Sequence, residues 1–235
     1  MPLVHPALLG LTPAHPIRSG QFGEDLPAQA PGGAAETCAG TATGAAGLAG
    51  LLAGGTLAAD VLRDEGEPLD TATLVELAGR LAAAERLWRP VVRHDPDKRW
   101  YTRLLLTGVV EVWLIGWFPG QHTAVHDHGG ALGALAVADG AVEEDIHAPH
   151  GGSWEPRGTR RYDKGRVVAF GADHVHRVIN RTQAAATTVH AYSPPEVPLR
   201  YASPDGSVAV PAASQLTARV APFARQRAAT VAAAR

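Results

Sequence analysis

Gly120-Gln121-His122-Thr123-Ala124-Val125-His126-Asp127-His128-Gly129-Gly130 is the stretch on which the reading of this chain turns. Side chains alternate faces along an extended strand, so His126 and His128 point one way and Asp127 the other. Two imidazoles side by side on one face pack poorly, but they make good first ligands for a divalent metal. A lone His-x-His recurs by chance, so its weight depends on the rest of the chain.

Working outward, the period of the apolar residues changes at Asp95-Pro96-Asp97. Upstream, Leu74, Leu77, Leu81, Ala84 and Trp88 recur at spacings of three and four, which predicts one helix stripe. Asp70 or the Thr73/Glu76 pair starts it and Pro90 stops it. Gly40 to Ala59 predicts at most a short helix, because its glycines weaken it. Met1 to Glu36 is rich in Pro, Gly and Ala and lacks a period.

Downstream the period is two. Tyr101 to Leu106 and Val109 to Phe118 predict strands around a Thr107-Gly108 turn. Leu132 to Ala138 and Ala141 to His147 flank Asp139-Gly140, a strong hairpin signal. Ala148 to Arg160 reads as a loop, and short strands resume at Arg166–Phe170, Val175–Ile179 and Ala186–Tyr192. A last hairpin is expected at Asp205-Gly206. Many short strands with turn residues between them predict a mainly β fold, an antiparallel barrel or jelly roll with helices at the N-terminal side. The division that follows is a loosely helical or poorly ordered segment 1–69, a β domain with a leading helix at 70–211, and an Ala/Arg-rich tail 212–235.

Composition excludes several classes. The 21 Lys and Arg against 23 Asp and Glu leave no basic patch signal for nucleic acid or a membrane surface. No run of about twenty apolar residues predicts a membrane span, and no charged leader with an apolar core predicts secretion. The single cysteine, Cys38, rules out an internal disulfide framework and a Cys-based zinc site. A cytoplasmic monomer is the expectation.

Three further groups add to the histidine pair. Gly165 to Asn180 reads as strand, turn and strand, with His174 and His176 two apart. One of them would complete a three-nitrogen face. Spacing alone does not separate the two, and His176 is favoured because it lies inside the apolar strand. Thr188, His190 and Tyr192 alternate with Val189 and Ala191, which sets a hydroxyl, an imidazole and a phenol in one row. Such a row suits either a solvated strand face or a hydrogen-bonded cavity wall. Tyr101 and Arg103 share a face, and an arginine inside a cavity is a fork for a carboxylate. His122, His147 and His150 read as exposed, Asp127 as facing away from a metal, Trp113 and Trp117 as core, and the Arg157–Arg161 cluster as solvated.

Taken together, these motifs resemble cysteine dioxygenase, a thiol dioxygenase of the cupin superfamily. Pro119-Gly120 with His126-Asp127-His128-Gly129-Gly130 resembles the family's first cupin motif, and His176-Arg177-Val178-Ile179-Asn180 its second. Thr188-Val189-His190-Ala191-Tyr192-Ser193-Pro194-Pro195 resembles its Ser-x-His-x-Tyr-Ser-Pro-Pro segment, and Tyr101-Thr102-Arg103 its substrate-carboxylate motif. The likeness covers about Trp100 to Pro195.

The resemblance implies a cupin β-barrel. It implies Fe(II) held by His126, His128 and His176, with a small thiol and O2 as the reactants and cysteine sulfinic acid as the product. It implies a cysteine carboxylate on Arg103, with Tyr101 and Tyr192 lining the substrate, and a Thr188–His190–Tyr192 row beside it. Gly130 to Gly133 lacks the glutamate most cupins carry, which fits an all-histidine site. Gly133 stands where animal members carry a cysteine cross-linked to the tyrosine, so no cross-link is expected, and Thr188 replaces the usual serine. A 3-mercaptopropionate dioxygenase is the near alternative, although such enzymes commonly carry glutamine at the Arg103 position. A cupin that binds metal or ligand without turnover is the more distant one.

Overall fold

The computed structural model describes residues 2–9, 45–53 and 55–203. Cys38, the Asp205-Gly206 turn and the tail lie outside them. The chain forms β1 (Leu3–Val4), a 3-10 turn, α1 (Ala45–Leu52), α2 (Leu57–Val61), α3 (Thr71–Ala83) and α4 (Glu85–Trp88). Then follow β2 (Trp100–Leu106), β3 (Glu111–Trp117), β4 (His126–Asp127), β5 (Leu132–Asp139) and β6 (Ala141–His150). The last strands are β7 (Ser153–Asp163), β8 (Val167–Phe170), β9 (Val175–Ile179), β10 (Ala186–Ser193) and β11 (Arg200–Tyr201). No described helix is long and apolar enough to cross a membrane.

The predicted helix is there, capped by Asp70, whose Oδ1 accepts from Thr73 N at 2.8 Å. It does not run unbroken to Trp88. Ala84 leaves the helical region with ψ 55, and Trp88 turns in to donate to Ala82 O at 2.9 Å.

All strand pairs are antiparallel, in two sheets. One runs β1-β2-β3-β10-β5-β8 and the other β11-β4-β9-β6-β7. Sequence parity sorts the residues of the first sheet. Val112, Leu114, Ala134, Ala136, Val189 and Ala191 pack with the helices in one apolar cluster, which also takes in Leu48, Leu52, Leu57 and Val61. The described part of the front segment is thus packed rather than loose. The opposite parity, Ile115, Trp117, Leu135 and Val137, faces Val142, Tyr162 and Val178 of the second sheet. Both faces of the first sheet are therefore covered, and the Thr188–His190–Tyr192 row lies on the inner one. The expected barrel is a two-sheet jelly roll whose edge strands β7 and β8 do not pair.

The segment 148–160, expected as a loop, is mostly strand. β6 and β7 form a long hairpin from Ala141↔Asp163 to His150↔Ser153. It turns at Gly151 and Gly152, whose φ values of 56° and 87° suit glycine. The sequence hid β7 because it is a polar edge strand, exposed over most of its length, and it carries a proline that only an edge tolerates.

Candidate metal centre

His126 and His128 lie on and just after β4, and register brings the third histidine to them. Across β4 and β9, His126 pairs directly with His176. The three rings sit 4.8 to 5.1 Å apart, and one ring nitrogen of each lies within 4.8 Å of the others. All three residues are buried. Burial, and after it the neighbouring imidazoles for His126 and His128, lowers their pKa values, so the rings are neutral and hold their lone pairs. For His176 burial outweighs the opposing pull of Glu144.

Whether these residues suit a metal is answered by their hydrogen bonds. His126 uses Nδ1 on Ala124 O at 2.9 Å. His176 donates Nδ1 to Glu144 Oε1 at 2.7 Å. Both nitrogens of His128 and Nε2 of His176 are buried with no hydrogen-bond partner. Buried polar atoms are normally satisfied, so this group of lone pairs fits a divalent cation. Neutral imidazoles suit iron, zinc, copper and nickel alike, and the cluster contains no carboxylate that would favour magnesium or calcium.

Glu144, which the sequence reading did not single out, anchors the third histidine. Its Oε1 accepts from His176 Nδ1 and from His174 Nε2, both at 2.7 Å, and its Oε2 accepts from Tyr162 at 2.6 Å. Burial would raise its pKa, but these donors win and hold the carboxyl well below the usual range. Ionised Glu144 fixes the His176 tautomer and aims Nε2 at His126 and His128. His174 therefore lies on the far side of His176, in the turn before β9. Asp127 points away, as expected, where Arg200 grips both its oxygens and Gly129 N donates to Oδ1 at 3.0 Å.

The polar row on β10 is a connected chain. Trp117 Nε1 lies 2.8 Å from Thr188 Oγ1, which lies 2.8 Å from His190 Nε2, and His190 Nδ1 lies 3.0 Å from Tyr192 Oη. Trp117 can only donate, so Thr188 accepts from it. With the Thr188 proton on His190 Nε2, His190 carries its own proton on Nδ1 and donates to Tyr192, which leaves the Tyr192 hydroxyl proton for another acceptor. Burial lowers the His190 pKa to about 3 and pushes the Tyr192 phenol far up, so both stay neutral near pH 7. Trp117, expected as plain core, is core and also the first donor of this chain. Tyr192 stacks on the His128 ring at 4.9 Å, which joins the row to the histidines.

Tyr101 and Arg103 share the inner face, beside Trp113, which stands opposite His190 in the ladder. Trp113 packs edge-on to Tyr101 at 5.8 Å and lies under the Arg103 guanidinium at 5.2 Å. Arg103 is also held by carboxylates, Glu196 at 3.1 Å and Glu111 at 3.6 Å. Besides Glu144, two more residues were missed. Arg99 lies over the Trp117 ring at 5.2 Å, donates to His122 O, and its positive charge is felt at Tyr101, Tyr192 and Tyr201. Tyr201 pairs with His126 between β11 and β4, 5.9 Å ring to ring. A lone arginine before a strand and a tyrosine six residues past the last motif carry no spacing signal.

The family model described as "Cysteine dioxygenase type I" matches residues 65–201, more than half of the chain. The chain belongs to the cysteine dioxygenase type I family. This places it among the thiol dioxygenases of the cupin superfamily. The match reaches beyond the motif-bearing stretch, taking in α3 at one end and Tyr201 at the other.

Solved structures similar to this family member include a double-stranded β-helix protein from Klebsiella pneumoniae subsp. pneumoniae. It is 20% identical over 48% of this chain and 90% of that one, with a TM-score of 0.40. Another is a cupin-superfamily sugar phosphate isomerase from Silicibacter pomeroyi, 23% identical over 46% and 68%, TM-score 0.38. A third is an oxalate oxidase in complex with glycolate, 15% identical over 53% and 66%, TM-score 0.39.

Proposed function

We propose that this thiol dioxygenase acts on L-cysteine, with Fe(II) held by His126, His128 and His176. Both atoms of O2 end on the sulfur, giving cysteine sulfinic acid. The sulfur supplies all the electrons that O2 takes up, so no external reductant is needed. The observation that carries the reading is the buried cluster of three neutral imidazoles, with unpartnered nitrogens on His128 and His176, set beside the hydrogen-bonded row ending at Tyr192. A divalent iron bound there supplies the activation of dioxygen and a positive charge that favours the thiolate over the thiol.

The chain's own residues do the rest. Arg103 holds the substrate carboxylate on its guanidinium fork. Tyr101 and Trp113 wall the site on the same face, and aromatic walls exclude water from the reacting sulfur. Tyr192, its oxygen fixed by His190, presents a hydroxyl proton toward the oxygens that gain charge. Thr188 and Trp117 hold His190 in the tautomer this requires.

3-Mercaptopropionate is the second reading, because it carries the same thiol and carboxylate and lacks only the ammonium. Arg103 already meets Glu196 and Glu111, so the carboxylate of either thiol competes with them. Oxygen uptake by the iron-loaded protein, compared between L-cysteine and 3-mercaptopropionate, decides. A higher kcat/KM with cysteine supports the proposal. A clear preference for the other thiol transfers it to the second reading. No uptake with either, at one iron per chain, refutes both.

A further inference from the structure

The jelly roll is open on one flank. β8 ends one sheet and β7 ends the other, and the two edge strands leave a cleft between them of about 320 Å³. Residues that face the inside of a two-sheet fold are ordinarily apolar, and the inner parity of both edges begins that way. Tyr162 of β7, with Val168 and Phe170 of β8, belongs to the inner cluster. Continuing each row by two residues reaches Arg160 on β7 and Arg166 just before β8, where both are solvent-exposed. Both line the cleft. Arg166 is held in place by its backbone, whose carbonyl accepts from Val137 N at 2.9 Å.

The cleft lining is net positive, with two arginines against one carboxylate. Neither Arg160 nor Arg166 makes an ion pair among the described residues, whereas the outward neighbour Arg161 pairs with Asp163 at 3.0 Å. The carboxylate on the cleft floor, Glu144, is turned to His174, His176 and Tyr162 and is committed to those donors. Two arginines therefore line a concave space whose one lining carboxylate, Glu144, stands across the ladder from Arg160 and is already held by three other donors. The volume falls at the lower end of small-molecule sites, and guanidinium forks match the flat or tetrahedral oxygens of oxyanions.

The cleft is separate from the thiol side. The Phe170 ring stands between them, 5.2 Å from His174 on the cleft side and 4.7 Å from His128 on the other. Gly133 makes room for it: a Cβ there would come within 2.0 Å of the Phe170 ring. We propose that this flank cleft is a second binding site, for one small oxyanion gripped by Arg160 and Arg166, apart from the site where the thiol reacts.

A carboxylate, a sulfinate and a phosphate share this chemistry, so the test uses acetate, methanesulfinate and inorganic phosphate as separate probes. Each is titrated into the full-length protein by calorimetry, in a buffer free of other oxyanions. Saturable binding of at least one probe, one per chain, is expected, and the tightest probe names the source. Arg160→Ala and Arg166→Ala, on different strands, should each weaken it about tenfold or more, the scale of losing one charge-assisted pair. Arg161→Ala, on the outward face, should leave it unchanged, and Arg103→Ala, in the thiol site, should do the same. Absence of saturable binding by all three probes overturns the proposal. So does an equal loss in Arg161→Ala and Arg160→Ala, which would mean diffuse surface charge.

Discussion

Glu144→Gln is the most informative single change, because it keeps the shape of the side chain and removes its charge. The carboxylate receives three donors at 2.6 to 2.7 Å, from Tyr162, His174 and His176. A hydrogen bond to a charged group contributes about 1.5–3 kcal/mol and a neutral one about 0.5–1.5, so each bond weakens by about 1 kcal/mol. The amide can keep its oxygen on the two histidines and turn its nitrogen to the Tyr162 oxygen, so the network survives in weakened form. Removing a buried charge returns part of the loss as relief of desolvation.

The His176 bond is the one that reaches the metal. Losing its charge assistance lowers the basicity of Nε2 and loosens the ring, and such changes cost roughly 10–100-fold in metal affinity. The assay is anaerobic competition for Fe(II) against a chromophoric chelator, with thermal unfolding of the metal-free protein alongside. The expected result is a fall in affinity of at least about tenfold, with a Tm drop of a few degrees, roughly 2–4 °C per kcal/mol for a chain of this size. An affinity within about twofold of wild type would show that Glu144 does not set the ligand and would refute the reasoning.

Gly133→Ala should cost about 1–3 kcal/mol by overpacking against Phe170, and Phe170→Leu in the same chain should recover part of it; thermal melts of the single and double variants check this. Stability of the metal-free protein should fall as pH drops below 6.5 toward about 3. His190 is neutral when folded but takes up a proton when unfolded, so the unfolded state binds more protons across that window; His190→Gln should flatten the Tm–pH curve. Glu196→Gln should release Arg103 from one of its carboxylates, lowering KM for L-cysteine with kcat little changed; an unchanged KM in steady-state kinetics would mean that Glu196 does not compete with substrate.

Most of the β architecture was legible because strand parity is a local property. Alternation in Thr188–Tyr192 set the hydroxyl, imidazole and phenol on one face before any partner was known. What alternation left open was whether the polar face met solvent or cavity. The helices answer that, since they cover the opposite face. The β6–β7 hairpin was illegible because its second strand is an exposed edge, where nothing selects apolar residues. Glu144 was missed for a different reason. Within Glu143-Glu144-Asp145 it reads as one of three surface acids, and only the β6–β9 register, with Ile146 opposite His176, sets it beside the histidine it anchors. Gly133 could be read as the absence of a cysteine, but not as the space that Phe170 fills.

The most direct test of the central claim is the isotopic composition of the product. Iron-loaded protein turned over on L-cysteine under isotopically labelled dioxygen, in ordinary water, should give cysteine sulfinic acid with both sulfinate oxygens labelled. Cystine alone, or a sulfinate carrying solvent oxygen in place of one label, would contradict it.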